Sequence, residues 1–304
     1  MVVRTRTEKT VAERTIIMMK LGWIGTGVMG AAMARNLMAA GYPMTVYNRT
    51  KSKTDALVAA GATWAATPAE VAQNSDVVFT MVGFPRDVEQ VYFGDDGIFS
   101  GLPAGKTVID MTTSQPKLAA KIADYATKNG WQALDAPVSG GDVGAKNATL
   151  TIMVGGADAT YDAMLPLFNV LGHKVNHFGA AGTGQHAKMA NQIMIAGTMT
   201  GLTEMLLYTK AAGLDPEKVL ATLSSGGADN WSMDNYVPRI LKDDYTPGFF
   251  ARHFLKDLRI ALSEADAMGL DLVATAQAKR LYEVMVDVRG LGDQGTQGLI
   301  NIYD

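Results

Sequence analysis

The chain has 304 residues, 48% of them hydrophobic and 19% charged, with a formal net charge of −3. That balance suits a folded globular protein with room for two domains, excludes extensive disorder, and gives no basic footprint for nucleic acid. Cysteine is absent, which excludes disulfides, thiolate catalysis and Cys-ligated zinc, and no apolar run approaches the ~20 residues that span a bilayer, so a soluble, cytoplasmic protein is expected.

The first 18 residues, MVVRTRTEKTVAERTIIM, lack a signal peptide's apolar core. Arg4, Arg6 and Arg14 suit a transit peptide, whereas Glu8, Glu13 and the want of serine oppose one, so 1–18 reads as an N-terminal extension. Leu21, Trp23 and Ile24 then form a short apolar run, Gly25-Thr26-Gly27 breaks it, and Ala31 to Leu37 resumes with strong helix formers. Strand, glycine turn and helix in this order make a dinucleotide-binding turn: Gly25 for the tight bend, Gly27 for close approach to a pyrophosphate, Gly30 for helix packing on the strand. Thr26, Val28 and Met29 complete the expected cofactor contacts, at a helix N-terminus that favours an anion.

A second strand, Met44 to Tyr47, ends in Asn48-Arg49-Thr50. An acid near this place would bond the ribose 2′-hydroxyl of NAD, whereas Arg accommodates a 2′-phosphate. Here the acid is replaced by Asn48, and Arg49 and Thr50 follow with Lys51, Ser52 and Lys53, so NADP is the expected cofactor, with NAD possible. Alternation continues: an apolar run Asp76 to Val82, a helix Pro85 to Phe93, a strand Thr107 to Asp110, an amphipathic helix Gln115 to Lys128, strands around Trp131 to Leu134 and Leu150 to Val154, and a helix Ala159 to Leu171. That rhythm predicts a parallel sheet, with ligands beyond the carboxyl ends of its strands. The loops there are Met81-Val82-Gly83, Met111-Thr112-Thr113-Ser114 and Ala136-Pro137-Val138-Ser139-Gly140-Gly141.

Beyond Gly182 the rhythm stops. One long helix is predicted from Gln185 to about Ala212, then helices at Asp215 to Leu223, Trp231 to Leu241, Arg252 to Met268 and Val273 to Val288. The long helix carries Ile193, Met194, Ile195, Met199, Leu202, Met205 and Leu206 around much of its circumference, so it is expected to be covered by neighbours, either within the chain or in a homodimer or homotetramer. Lys188 lies in its first turns and shares a face with Asn191 and Gln192. A second lysine, Lys256 in Phe254-Leu255-Lys256-Asp257, adds a cation suited to an anionic substrate and cofactor.

With these segments in place, the chain resembles the β-hydroxyacid dehydrogenases, the family of 3-hydroxyisobutyrate dehydrogenase, tartronate semialdehyde reductase and the glyoxylate and succinic semialdehyde reductases. The matches are GWIGTGVMGAAMARNL, NRT at Asn48, DMTTSQP at Asp110, DAPVSGG at Asp135, GTGQHAKMANQ at Gly182 and FLKDLRIAL at Phe254. The resemblance implies an α/β Rossmann-type doubly wound sheet (19–181) followed by an all-α C-terminal domain (182–304). It implies Lys188 as the catalytic lysine, Ser139, Gly140 and Gly141 as holders of a substrate carboxylate, and Thr113 and Lys256 on the nicotinamide side. NRT resembles the NADPH-using members. Many members carry Asn four residues after the lysine; here Gln192 stands there with Asn191 before it, and either amide can donate to a substrate oxygen.

The four histidines, His173, His177, His186 and His253, make no metal-ligand spacing and read as structural, with no metal needed. The expected reaction is hydride transfer between nicotinamide and the carbinol carbon of a short 3-hydroxy or 2-hydroxy acid or its semialdehyde, with Lys188 as acid/base. Two rivals are an imine reductase, whose relatives usually carry an acid or tyrosine in place of Lys188, and a non-catalytic NADP-binding regulator, which has little use for Lys188 together with Ser139-Gly140-Gly141.

Overall fold

The computed structural model describes residues 19–303, so the N-terminal extension lies outside it. Short apolar runs become strands: β1 (Leu21–Ile24), β2 (Met44–Tyr47), β3 (Thr63–Trp64), β4 (Val77–Thr80), β5 (Thr107–Asp110), β6 (Gln132–Asp135), β7 (Val138–Ser139), β8 (Leu150–Gly156) and β9 (Gly172–His177). Every residue of β1, β4 and β5 is buried, as strands covered on both faces require. Trp23 and Phe79, stacked at 5.3 Å, face one apolar cluster with Met33 and Leu37 of the helix Val28–Ala39; Ile24 and Val78 face the other, with Val88 and Ile122 from the helices Pro85–Phe93 and Pro116–Lys128.

The strand order is β3-β2-β1-β4-β5-β6-β8-β7, with β9 beside β8. The first six strands are parallel, and the order reverses direction between β1 and β4, which is where such sheets open a crevice for a dinucleotide. The expectation of a wholly parallel extension fails at β8, which runs antiparallel to β6 and to β7. The reason lies in the connection. The chain returns through the short helix Gly141–Lys146 instead of a full crossover, and a tight return delivers an antiparallel strand. β3, β7 and β9 were not anticipated; two are two residues long, and β9 (GHKVNH) is a polar edge strand with little apolar signal.

The helical part begins with Thr183–Ala211 and continues with Pro216–Leu223, Trp231–Ile240, Ala251–Ala267 and Val273–Glu283. The helix expected to reach Val288 instead passes into a π-helical turn at Val284–Val288. Met199, Leu202 and Leu206 of the long helix join Phe254, Leu258 and Tyr282 in a separate core. Its circumference is only partly covered: Ile193, Ile195 and Met205 are half-buried, and Met194 is 69% exposed.

Candidate active site

The glycine turn lies at the crevice between β1 and β4. Gly25 holds φ +95°, and a Cβ on it would collide with the Met81 carbonyl; a Cβ on Gly30 would collide with the Gly25 carbonyl, so helix and strand could not approach. Gly27 has open space on its Cβ side. The helix that starts at Val28 has no side-chain cap and no acid in its first turn, which leaves its N–H groups to an anion. Thr26 Oγ1 is buried without a hydrogen-bond partner beside them. An uncapped helix, an open glycine and an orphaned hydroxyl are what a bound pyrophosphate would complete, so these residues fit a dinucleotide cofactor.

Asn48 does structural work here. Its Oδ1 accepts from Thr26 N at 3.0 Å and its Nδ2 donates to the Thr50 carbonyl at 2.9 Å, so it ties the end of β2 to the glycine turn. Arg49 is 86% exposed, with Nη1 3.4 Å from Asp87 Oδ1. Across the crevice Met81 N donates to Ile24 O, and Val82 N donates to Thr112 Oγ1 at 3.0 Å, linking the loops after β4 and β5.

The last residues of β4, β5 and β6 align as Thr80, Asp110 and Asp135. Thr80 Oγ1 and Thr112 N donate to Asp110, whose carboxyl is pushed up to about 6 by burial, these bonds opposing and the Asp135 charge adding to the rise. Asp135 accepts from Gly182 N at 2.7 Å and Gln185 N at 2.8 Å, a carboxylate cap on the long helix. Gln185, fully buried, accepts from Ser114 N at 2.9 Å and donates to the Thr112 carbonyl at 2.7 Å. The first turn of the long helix is thereby bound to the loops after β5 and β6, and Lys188 follows three residues later.

Lys188 is 6% exposed. Burial drives its amine down from 10.5 to about 8, with Asp257 opposing and Lys256 assisting the fall. Lys256 Nζ donates to the Thr113 carbonyl at 2.5 Å and stands 3.0 Å from Asp257 Oδ1. Asp257 Oδ2 accepts from Gln192 Nε2 at 2.6 Å, and Gln192 Oε1 accepts from Asn191 Nδ2 at 2.7 Å. Gln192 is fully buried with both ends of its amide engaged, whereas Asn191 is only half-buried.

The structure gathers most of the sequence-predicted residues into three groups, while Arg49 stands exposed beside Asp87. Gly25 to Gly30, Asn48, Thr50, Met81 and Val82 gather at the ends of β1, β2 and β4; Asn191, Gln192, Lys256 and Thr113 are joined by hydrogen bonds and an ion pair through Asp257, whose charge with that of Lys256 reaches Lys188. Ser139, Gly140 and Gly141 lie together at the end of β7 and the start of the helix Gly141–Lys146, where a Cβ on Gly141 would stand 3.6 Å from the Gly248 carbonyl. Gly83 faces His253, which lies between the rings of Phe84 and Phe250. Burial and the charges of Lys256 and Arg252 hold this imidazole down at about 4, so it is neutral. Gln185, Asp135, Asp110 and Asp257 were not singled out from the sequence. Their one signal is a polar residue set among apolar ones.

Residues 20–179 match the model of the NAD-binding domain of 6-phosphogluconate dehydrogenase, and 182–303 that of the NAD-binding domain of NADP-dependent 3-hydroxyisobutyrate dehydrogenase. A probable mitochondrial 3-hydroxyisobutyrate dehydrogenase-like protein of Arabidopsis thaliana is 51% identical over 92% of this chain and 84% of its own. The chain belongs to the 3-hydroxyisobutyrate dehydrogenase family. The relatives named for an activity are hydroxyacid dehydrogenases and reductases, and the chain is an NAD(P)-dependent oxidoreductase of that family. The 2-hydroxy-3-oxopropionate reductase of Escherichia coli is 39% identical over 87% of this chain and 90% of its own. Among solved structures, Mycobacterium tuberculosis 3-hydroxyisobutyrate dehydrogenase with L-serine superposes with a TM-score of 0.86 at 26% identity, over 94% of this chain and 99% of that one. An imine reductase from Myxococcus stipitatus is more distant, at 0.63 and 22% identity over 94% of this chain and all of its own, which shows the fold alone.

Proposed function

We propose that this enzyme interconverts a short carboxylated semialdehyde and its hydroxy acid with NADP(H), using Lys188 as the acid/base. The observation that carries the reading is Lys188 itself, a buried amine held near 8 on a helix bound to the loops beyond the sheet. A group tuned close to neutrality can both give and take a proton. Backbone N–H groups at Ser139 to Gly141 hold the substrate carboxylate and fix the reacting carbon. Asn191 donates its second amide N–H to the reacting oxygen, since it is half-buried while Gln192 is fully buried with both its oxygen and its nitrogen engaged. Thr113 and Lys256 would hold the nicotinamide ring, which would supply or accept the hydride when bound. In reduction the Lys188 ammonium gives its proton to the developing alkoxide; in oxidation the neutral amine removes it.

This assignment fixes the sign of the pH dependence. Reduction needs the protonated amine, so its kcat/KM should fall as pH rises through about 8, and oxidation should rise through the same value. Profiles measured in both directions must mirror each other; two limbs of the same sign would contradict the role of Lys188. Substrate class is tested by turnover of a panel of small semialdehydes, 2-hydroxy-3-oxopropionate and 2-methyl-3-oxopropanoate (the aldehyde reduced to 3-hydroxyisobutyrate) among them, with NADPH and NADH. Failure of the whole panel, with cofactor still bound, would favour a binding regulator.

We propose further that 19–181 forms the nucleotide domain, that 182–304 carries substrate contacts and association, and that the enzyme works in the cytoplasm, as its cysteine-free composition suits a reducing compartment. Met194, Gly197, Gly201, Met205 and Met233 line an apolar groove of about 360 Å³, with Trp231 nearby 64% exposed. A second copy of the chain covers it in this proposal. Light scattering should give a dimer or tetramer, and Gly201→Arg should reduce it to monomer. A wild type both monomeric and active would refute the interface.

A further inference from the structure

Asp257 is a fully buried carboxylate whose two oxygens have different surroundings. Oδ2 receives the Gln192 amide at 2.6 Å, while Oδ1 has no hydrogen bond and only the Lys256 ammonium at 3.0 Å. A carboxylate accepts and cannot donate. Gln192 must therefore turn its nitrogen toward Asp257 and its oxygen away, and that oxygen meets Asn191 Nδ2 at 2.7 Å. Asn191 has in turn no choice but to give one N–H of its nitrogen to Gln192, which keeps that nitrogen's second N–H for a substrate oxygen. A side-chain amide is nearly symmetric in shape, so without a fixed acceptor at the far end the two amides could reverse together with little steric consequence. The buried charge removes that freedom.

We infer that Asp257 is a positioning residue that, acting through Gln192, fixes which way round the Asn191 amide faces the substrate beside Lys188. The inference rests on the assignment of Lys188 and Asn191 given above. It also accounts for a buried Gln192: the longer side chain spans from the long helix to Asp257 on the helix Ala251–Ala267. The same carboxylate acts on Lys188 by charge. The charged groups whose fields reach that amine are Lys256, which disfavours its ammonium, and Asp257, which favours it, both from the facing helix.

Two variants separate the roles. Asp257→Asn removes both the charge and the fixed polarity; Gln192→Met removes the polarity alone. Each should raise KM for substrate about tenfold, the worth of one well-placed hydrogen bond, with a smaller change in kcat. The double variant should be no worse in KM than Asp257→Asn, since both break one chain. Only Asp257→Asn should move the alkaline limb of the reduction profile, toward lower pH. Unchanged KM in either variant, additive losses, or a limb moved equally by both would overturn the inference. A further measurement needs no variant and no turnover: in 15N-labelled wild type the Gln192 side-chain amide should be protected from solvent exchange and coupled to that of Asn191. Rapid exchange there would overturn the inference even if Asp257→Asn fails to fold. Conversely, protected amides in a protein that reduces no semialdehyde would overturn the functional reading and leave the polarity of the chain standing.

Discussion

Replacing Lys188 with alanine should lower kcat about 100-fold or more while leaving cofactor affinity nearly unchanged, because a positioned acid/base contributes on that scale. The glycine turn and the Asn48 bridge are held by contacts with one another, Thr50 and Met81, and not by this side chain. Stability gives an independent check. The Lys188 amine sits near 8 in the fold against 10.5 unfolded, so below about 8 both states hold the proton and the full cost of burying the ammonium is present. Between those values the unfolded chain binds more protons than the folded one, and stability rises with pH. Lys188→Met, which fills the space without the charge, should therefore raise Tm at neutral pH as it abolishes turnover. A Lys188→Ala enzyme with near-normal kcat, or a Lys188→Met protein of lower Tm, would remove the residue from its assigned role.

Such a coupling of instability to activity explains why the lysine stands out in its surroundings, yet the sequence shows only half of it. Lys188 stood out in the sequence only together with Lys256, since a lone cation entering an apolar helix can snorkel to solvent, and its catalytic role comes from the family resemblance. Asp257 did not stand out, since the residue it serves lies 65 positions away, and no local pattern reveals which carboxylate will be fully buried or which amide will face it. The same distance hid Gln185, whose partners Thr112 and Ser114 are 73 and 71 positions earlier.

The fold shows the same division between local and remote. β2, β5 and the helix Pro85–Phe93 were read from sequence with their observed ends, because strand and helix periods and the flanking glycine and proline are local properties. Strand direction at β8 is a property of the connection, and an apolar run reads alike in either direction. β9 pairs beside β8 with a side-chain pattern too polar to signal a strand. In the long helix, composition alone placed apolar residues all round, but only packing decides that Met199 is covered and Met194 is left bare.

Changing Asn48 to Asp together with Arg49 to Ala should shift the cofactor preference from NADPH toward NADH by about 10- to 100-fold, if each charged hydrogen bond to the 2′-phosphate contributes ~1.5–3 kcal/mol. Arg49 is free to make such bonds. Its present partner, Asp87, is 3.4 Å away in an exposed pair, which holds it weakly, and a phosphate carrying up to two charges offers a guanidinium a planar, bidentate alternative. Thr50 adds a hydroxyl beside it. Asn48 accepts from Thr26 N and donates to the Thr50 carbonyl, so Asp at this position keeps the first bond, loses the second, and places a carboxylate where it repels the phosphate but can accept from a ribose hydroxyl. Asn48→Ala serves as the control, since it loses the bridge without adding charge; it should weaken both cofactors together. Titration of NADPH and NADH against wild type and the variants decides the matter. A wild type that already prefers NADH, or a double variant with an unaltered ratio, would mean that Arg49 stays with Asp87 and that the 2′-position is read elsewhere.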